Sequence, residues 1–292
     1  GIYVIGRVAV FEDQKLPLIR PELALTDKIT GKLWKTNKGI FWLDTAAREV
    51  WDYNIAIAED MLGRGFDEVN FDYIRFASDG VLGNIIYPVW DGIIPKREVI
   101  RQFHEYVRGR LPAARLSADL FGMVTTNKDD LGIGQYLEDA LPYYDAIAPM
   151  VYPSHYAANF IGLKNPAAFP YEVVKYSLDE AVKRMAKYDL ERESALAQAN
   201  LVESLPITPK PARRAVLRPW LQDFNLGAVY DAAKVNDQIR AVSDAALRCL
   251  QNSPNNIGVI CDGLVHDEAI GGLFDGWMLW NPRNIYTKGA LK

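Results

Sequence analysis

Residues 66–76 read FDEVNFDYIRF, and no other stretch restricts the fold as tightly. A long amphipathic segment leads into it and stops at Gly65, and the run is apolar or aromatic apart from Asp67, Glu68, Asn70, Asp72 and Arg75. A parallel strand is covered on both faces and reads as a nearly continuous hydrophobic run, so acids inside one need a reason. Alternation sets Asn70 and Asp72 on one face and Phe71 and Tyr73 on the other. A carboxylate near the C-terminal end of such a strand sits where α/β barrels keep their chemistry.

Strands and helices alternate along the remaining chain. Ile2 to Phe11 reads as a strand buried on both faces, with Arg7 as an interior cation. A loop of about thirty residues, unusually long for a connection, ends in GIFWLDT. There Asp44 or Thr45 can cap a helix from about Ala46 that buries Val50, Tyr53, Ile57, Met61 and Leu62. Beyond Phe76 a second loop runs to Pro95, which opens a helix to about Leu111. RLSADLFGMV predicts a strand pointing Ser117, Asp119 and Phe121 inward. A helix near Asp129–Leu141 leads to a strand ending at Tyr152, with Pro153 as its breaker. Then follow a helix from about Tyr171 to Lys187 with a less regular continuation to Leu205, a strand AVLRPWLQDF, a helix Ala232–Gln251 and a last strand Phe274–Pro282. IGVICD, residues 257–262, reads as an extra strand or part of an insertion.

This order predicts an α/β fold with a parallel sheet. No glycine-rich nucleotide fingerprint follows any strand, which removes the usual support for an open nucleotide-binding sheet. The expectation is a TIM-type barrel forming a single domain over residues 1–292. Six clear strands in place of eight, and an opening inside the apolar run GIYVIGRVAVF, predict a barrel incomplete at its N-terminus and a chain that is a fragment or processed product. The first strand would then bare an edge, which predicts self-association.

Composition narrows the partners. A net charge of −4 with no basic stripe gives no support to a nucleic-acid partner, and no apolar run reaches membrane-spanning length. Cys249 and Cys261 stand at no metal-ligand spacing; they could form at most one disulfide and read as free buried thiols. His104, His155 and His266 form no pair with each other or with a cysteine, so no metal or other cofactor is expected. No nucleophile elbow occurs.

Acids at strand ends remain. Asp72 and Asp119 close consecutive predicted strands, and with neighbouring strands about 4.8 Å apart their carboxyls could flank one substrate bond at roughly 5 to 9 Å, as glycoside hydrolysis requires. The bland alternative makes both of them interior partners of Arg7, Arg75 or Arg218. Arg75 points away from Asp72 under strict alternation and toward it if the strand end twists. Tyr152 and Gln222 are polar tips suited to sugar hydroxyls, with Asn70 beside Asp72. Trp42, Trp220, Trp277 and Trp280 are candidates for stacking on sugar rings, and His155 is a secondary contact. Glu12, Asp13 and Asp223 stand next in line for the acid role. A poly- or oligosaccharide is thus the expected partner. The runner-up, from a different class, is a carbohydrate-binding or scaffold barrel without turnover.

RVAVFED, the run from WLDTAAREVW to IRFASDG, APMVYPSHY, RPWLQDF and GWMLWNPRNIYTKGAL together resemble a bacterial family described as putative glycosyl hydrolase domain. The resemblance covers essentially the whole chain. It implies a glycoside-hydrolase-like TIM barrel in which RVAVFED is the third strand and the family's first two strands are absent. Its members are mostly bacterial and often exported, which implies an extracellular or envelope location. Against the chitinase-like strand pattern D-G-x-D-x-D-x-E, Asp67, Asn70 and Asp72 fall on the aspartate positions but Ile74 replaces the catalytic glutamate. Met150 and Tyr152 match that family's sixth-strand M-x-Y-[DN], which here ends in Pro153. Its substrate-assisted mechanism therefore does not carry over. A fourth-strand nucleophile, Asp72, with a fifth-strand acid, Asp119, fits better, although other barrel glycosidases use Glu at the second position.

Overall fold

The computed structural model describes residues 1–200, 214–251 and 273–291, and the statements below concern those residues. By its contacts the chain divides into two compact units. One comprises Gly1–Leu120 and Lys128–Asp145, the other Phe121–Asn127 and the chain from Ala146 onward.

In the first unit, β1 (Ile5–Ala9) is followed by a short α1 (Leu16–Ile19) and β2 (Thr26–Asp27). Then come α2 (Arg48–Gly63), β3 (Glu68–Asp72), β4 (Ile85–Ile86), α3 (Lys96–Arg110), β5 (Leu116–Phe121) and α4 (Leu137–Ala140). β3 pairs in parallel with β1 and with β5, so that Arg7, Asn70 and Ser117 lie side by side and Ala9 lies beside Asp72. Val8, Val69, Phe71, Leu116, Ala118 and Leu120 are buried on one face. That face meets α2 and α3 around Phe103, whose ring centroid lies 6.4 Å from that of Phe71, 5.3 Å from Phe11 and 5.5 Å from Trp51. Gly6 lets α2 pack closely there, since a Cβ would fall 2.1 Å from Met61 Cε, the far end of a flexible side chain. The opposite parity carries Arg7, Glu68, Asn70, Asp72, Ser117 and Asp119. An interior face of this fold normally holds branched aliphatics, so this one is polar for another reason.

Several expectations need correction. The first strand is not buried on both faces: Arg7 and Ala9 are exposed, and so are Ile2, Tyr3 and Val4 ahead of it. Of the predicted stripe on α2 only Val50 is fully buried; Tyr53, Ile57, Met61 and Leu62 are partly exposed, and Trp51, Asn54, Ile55 and Ala58 are buried as well. Asn54, a polar residue outside that stripe, is a core residue because its amide donates to the carbonyls of Val10 (3.1 Å) and Val50 (2.8 Å). No side chain caps α2. Asp44 instead accepts from the amides of Ala46 (2.9 Å), Val89 (2.8 Å) and Trp90 (3.0 Å), tying the two long loops together. Those loops also pair through β2 and β4, antiparallel. Only Leu137–Ala140 of the helix expected near Asp129–Leu141 forms, because Leu131, Gly132 and Gly134 take left-handed φ values of 54°, 68° and 86°. The irregular segment is useful: Ile133 accepts the amide of Phe76 (2.9 Å), and the Gln135 amide donates to Ile74 (3.2 Å), fastening the chain just beyond Asp72.

The second unit holds β6 (Ala146–Met150), α5 (Pro170–Asn200), β7 (Val216–Leu217), β8 (Trp220–Gln222), α6 (Ala232–Gln251) and β9 (Met278–Trp280). β6 pairs in parallel with β7 and β8, and β8 with β9. The single strand expected over 215–224 is split at Arg218 and Pro219, since proline has no N–H for the ladder. α5 and α6 pack together, with the Tyr171 hydroxyl donating to Asp244 at 2.7 Å. Gly122 lies against β6, where a Cβ would fall 2.4 Å from the Met150 carbonyl oxygen. IGVICD, Cys261 and His266 lie outside the described residues, as does the Cys249 side chain.

Candidate active site

Register builds the site. Arg7 stands beside Asn70, and its side chain reaches one step further along the sheet to form an ion pair with Asp72; its Nε lies 3.6 Å from Asp119 Oδ2. Asp72 is 4% and Asp119 1% exposed. Burial works to lower the Arg7 pKa, but Asp72 and Asp119 outweigh it and hold the guanidinium above its ordinary value. Below this group, the Asn70 amide donates to Ser117 Oγ and Asp119 Oδ1, each at 3.0 Å. Ser117 donates to Glu68 Oε1 at 2.5 Å, and the Tyr3 hydroxyl to Glu68 Oε2 at 2.9 Å. The polar face of the sheet is thus one hydrogen-bonded layer. Asn70 Oδ1 is buried and makes no hydrogen bond to the described residues.

Alternation stops immediately after Asp72. Tyr73 has a φ of 54°, a left-handed conformation that a bulky side chain adopts only under constraint, and its amide donates to Asp72 Oδ1 at 2.5 Å. The kink brings Arg75 back toward Asp72, whose charge offsets part of the lowering that burial imposes on the guanidinium. Arg75 lies 4.6 Å from the Trp42 ring centroid and donates to Ser78 Oγ at 2.8 Å. Trp42 is correspondingly 1% exposed, so its ring face is covered by Arg75 instead of lying open to a sugar.

Glu12 joins this group from the segment after β1. A backbone bridge to Trp42 holds it in place, and it is half-buried. Burial raises its carboxyl above the ordinary range and Asp72 adds to the rise, against the lowering effects of Arg75, the Tyr73 hydroxyl bond and Lys38. Asp13 and Asp223 are engaged elsewhere. Asp13 accepts the amides of Lys15 (2.5 Å) and Leu16 (2.8 Å) at the start of α1; Asp223 accepts from the Thr287 amide (2.7 Å) and hydroxyl (2.6 Å). Tyr73 went unselected at the sequence level because strict alternation puts it on the helix-facing side, and a backbone kink leaves no mark in the residue pattern.

Arg7, Trp42, Asn70, Asp72, Arg75 and Asp119 all belong to the first unit. The remaining expected contacts belong to the second. There Tyr152, His155 and Phe224 form an aromatic cluster with centroids 5.2 to 6.1 Å apart. Both ends of the Gln222 side-chain amide are spent within the protein, on the Ser154 amide (3.1 Å) and the Phe224 carbonyl (2.9 Å). Trp220 and Trp280 are partly exposed and meet edge to face at 5.8 Å, while Trp277 is partly exposed just before β9. Arg218 pairs with Asp275. His104 is buried, bonded to the Tyr144 hydroxyl at 2.9 Å, and pushed down to about 3 by burial, so it is a neutral core residue. Among the described residues no group of three His, Cys, Asp or Glu side chains could hold a metal, and no helix is long and apolar enough to cross a membrane.

The profile of the family described as "Putative glycosyl hydrolase domain" matches residues 1–250. Among solved structures, the chain is similar to the PgaB (BpsB) glycoside hydrolase domain from Bordetella bronchiseptica, at 13% identity and a TM-score of 0.50, over 89% of this chain and 75% of that one. A hypothetical protein from Ruminiclostridium thermocellum is 36% identical over 45% of this chain and 60% of its own, with a TM-score of 0.36. TtGalA, an alpha-galactosidase from Thermus thermophilus, is 16% identical over 60% of this chain, with a TM-score of 0.39, and this chain spans only 33% of it. No curated protein matches. The likeness to the Bordetella domain shows the fold, an α/β fold whose curled parallel sheet forms a half-barrel of the TIM type.

Proposed function

The chain belongs to the family described as "Putative glycosyl hydrolase domain", and on that premise we propose that it cleaves glycosidic bonds of a poly- or oligosaccharide. Asp72 is the carboxylate that attacks the anomeric carbon or draws a proton from the water that does. One observation carries this reading. Two buried carboxylates, Asp72 and Asp119, share the Arg7 guanidinium on a polar face at the C-terminal end of parallel strands. The cleavage needs one ionised carboxylate and one proton donor across a sugar bond, and no metal or cofactor. The strained backbone at Tyr73, next to Asp72, supports a functional origin for this corner, since strain persists where function maintains it. In the second unit the partly exposed Trp220 and Trp280 rings suit the apolar faces of sugar residues. We take residues 1–292 as one barrel domain. A polymeric substrate does not cross a membrane unaided, which favours an extracellular or envelope location.

A second reading, a carbohydrate-binding or scaffold barrel without turnover, draws on the fact that Arg7, Asn70, Asp72 and Asp119 satisfy one another. Asp72→Asn separates the two. If Asp72 is catalytic, the variant keeps its fold and its affinity for oligosaccharide while hydrolysis falls by about 10³-fold or more. Full activity in the variant removes the glycosidase reading and leaves the binding barrel in front.

A further inference from the structure

We infer that the small antiparallel meander of residues 24–43 carries a second carbohydrate site, one that takes an acidic sugar unit, a hexuronate of a polysaccharide chain. Binding there goes beyond the proposed hydrolysis and needs no turnover. The backbone sets the two faces of the meander apart. The Leu25 amide donates to the Trp42 carbonyl at 2.9 Å and the Trp34 amide to the Leu25 carbonyl at 2.8 Å, while backbone bridges join Thr26 to Leu33 and Lys35 to Phe41. Alternation then gives Leu25, Trp34, Thr36 and Trp42 one face and Thr26, Leu33, Lys35 and Phe41 the other. The first set is buried. The second is partly or fully exposed, and its Leu33, Lys35 and Phe41 line a cleft of about 540 Å³ together with Asp27, Lys32 and Val81.

Charge selects the ligand. From Lys28 to Leu43 the sequence holds four lysines and no Asp or Glu, in a chain whose net charge is −4. Lys28 is spent on the Gly83 carbonyl at 2.6 Å. Lys32 and Lys35 line the cleft, and among the described residues neither has a carboxylate at ion-pair distance. The Lys35 ammonium rests over the Phe41 ring, 4.7 Å from its centroid, an exposed cation–π contact weak enough to be exchanged for a carboxylate. Asp27 is held in its own turn: Oδ1 accepts the amides of Ile29 and Thr30 at 2.9 Å each, and Oδ2 the Asn84 side-chain amide at 3.3 Å. Two ammonium groups against one engaged carboxylate leave the cleft cationic. Its volume lies in the range of small-ligand sites. The partly exposed Phe41 ring, with Leu33 and Val81, offers a floor for the apolar face of a pyranose, and the lysines offer point charges for its carboxylate. A neutral sugar would leave both cations unmatched, and a small inorganic anion would leave the apolar floor empty; a hexuronate uses both. A nucleic-acid strand needs a longer cationic track than two lysines provide. The buried face of the same meander holds Trp42 against Arg75, 4.6 Å from guanidinium to ring centroid, so a chain bound in the cleft is held on the element that packs against the Asp72 site.

The test is calorimetric titration of the full chain with trisaccharides of galacturonate, glucuronate and mannuronate, each beside its neutral hexose counterpart. At low salt the wild-type chain should bind at least one acidic trisaccharide about tenfold tighter than its counterpart, and the gap should narrow as added salt screens the exposed charges. Lys32→Gln and Lys35→Gln should each reduce the preference about two- to fivefold. The double variant should lose it while its affinity for the neutral sugar stays, and Phe41→Ala should weaken acidic and neutral sugars alike. Absence of any preference in the wild-type chain overturns the assignment, and so does a preference that survives the double variant. Equal affinity for a short oligothymidylate marks an unselective cationic surface and overturns it too. Failure of the glycosidase reading looks different: Asp72→Asn is then as active as wild type, or wild type cleaves no glycoside, while the lysine-dependent preference persists in both.

Discussion

Arg7 is the residue on which the polar face depends. It bridges Asp72 and Asp119, and its side chain is 36% exposed. Removing one partner of a fully buried pair costs roughly 3–5 kcal/mol; partial exposure here reduces the expected loss for Arg7→Met to about 2 kcal/mol. Urea unfolding measures it, and an unchanged midpoint would show that the carboxylates do not need the guanidinium. Glu12 gives a prediction of opposite sign. Its carboxyl titrates higher in the folded chain than its ordinary 4.5. Folding therefore takes up a proton in the window above 4.5, and the stability present below that value is lost as pH rises through the folded pKa. Glu12→Gln has no such loss. It should melt above wild type at pH 7 and no higher than wild type at pH 3.5, and a destabilised variant at pH 7 would contradict this. Much of the site could be read at this scale. A buried strand with acids on one parity pointed to Asp72, and the cation one strand over pointed to Arg7. Arg75 could not be placed, because its side is set by the left-handed Tyr73 and not by alternation.

At the scale of elements, the sequence located the long helices and buried strands where hydrophobic periodicity is strong, and it was least accurate where backbone conformation overrides pattern. α6 runs from Ala232 to Gln251 as expected. The α2 face was misjudged because Asn54 is buried to satisfy Val10, a bond to another element that periodicity cannot register. The helix expected near Asp129–Leu141 failed at consecutive left-handed residues, and the strand over 215–224 at Pro219. Two glycines test how closely the elements pack. A Cβ at Gly6 would meet the flexible end of Met61 at 2.1 Å, whereas one at Gly122 would meet the backbone oxygen of Met150 at 2.4 Å. A side chain can swing aside and a strand carbonyl cannot. Gly6→Ala should therefore cost about 1 kcal/mol and Gly122→Ala about 3 kcal/mol, at the two ends of the overpacking range. Equal costs in chemical unfolding would mean that helix and strand yield alike.

For the whole molecule, β1 ends the sheet order among the described residues, and Ile2, Tyr3 and Val4 ahead of it are 89%, 49% and 42% exposed. An unpaired edge beside exposed apolar side chains invites strand addition. The 292-residue chain should therefore elute at an apparent mass that grows with concentration, and Ile2→Lys should reduce that growth; a concentration-independent monomer would remove the expectation. The family match over residues 1–250 and the barrel likeness make glycoside hydrolysis the activity to test. The decisive measurement is the release of new reducing ends from a panel of bacterial polysaccharides by the wild-type chain and by Asp72→Asn, both verified as folded. Release by wild type that falls at least about 10³-fold in the variant is the expected result. No release by either protein, or equal release by both, would contradict a glycosidase built on Asp72.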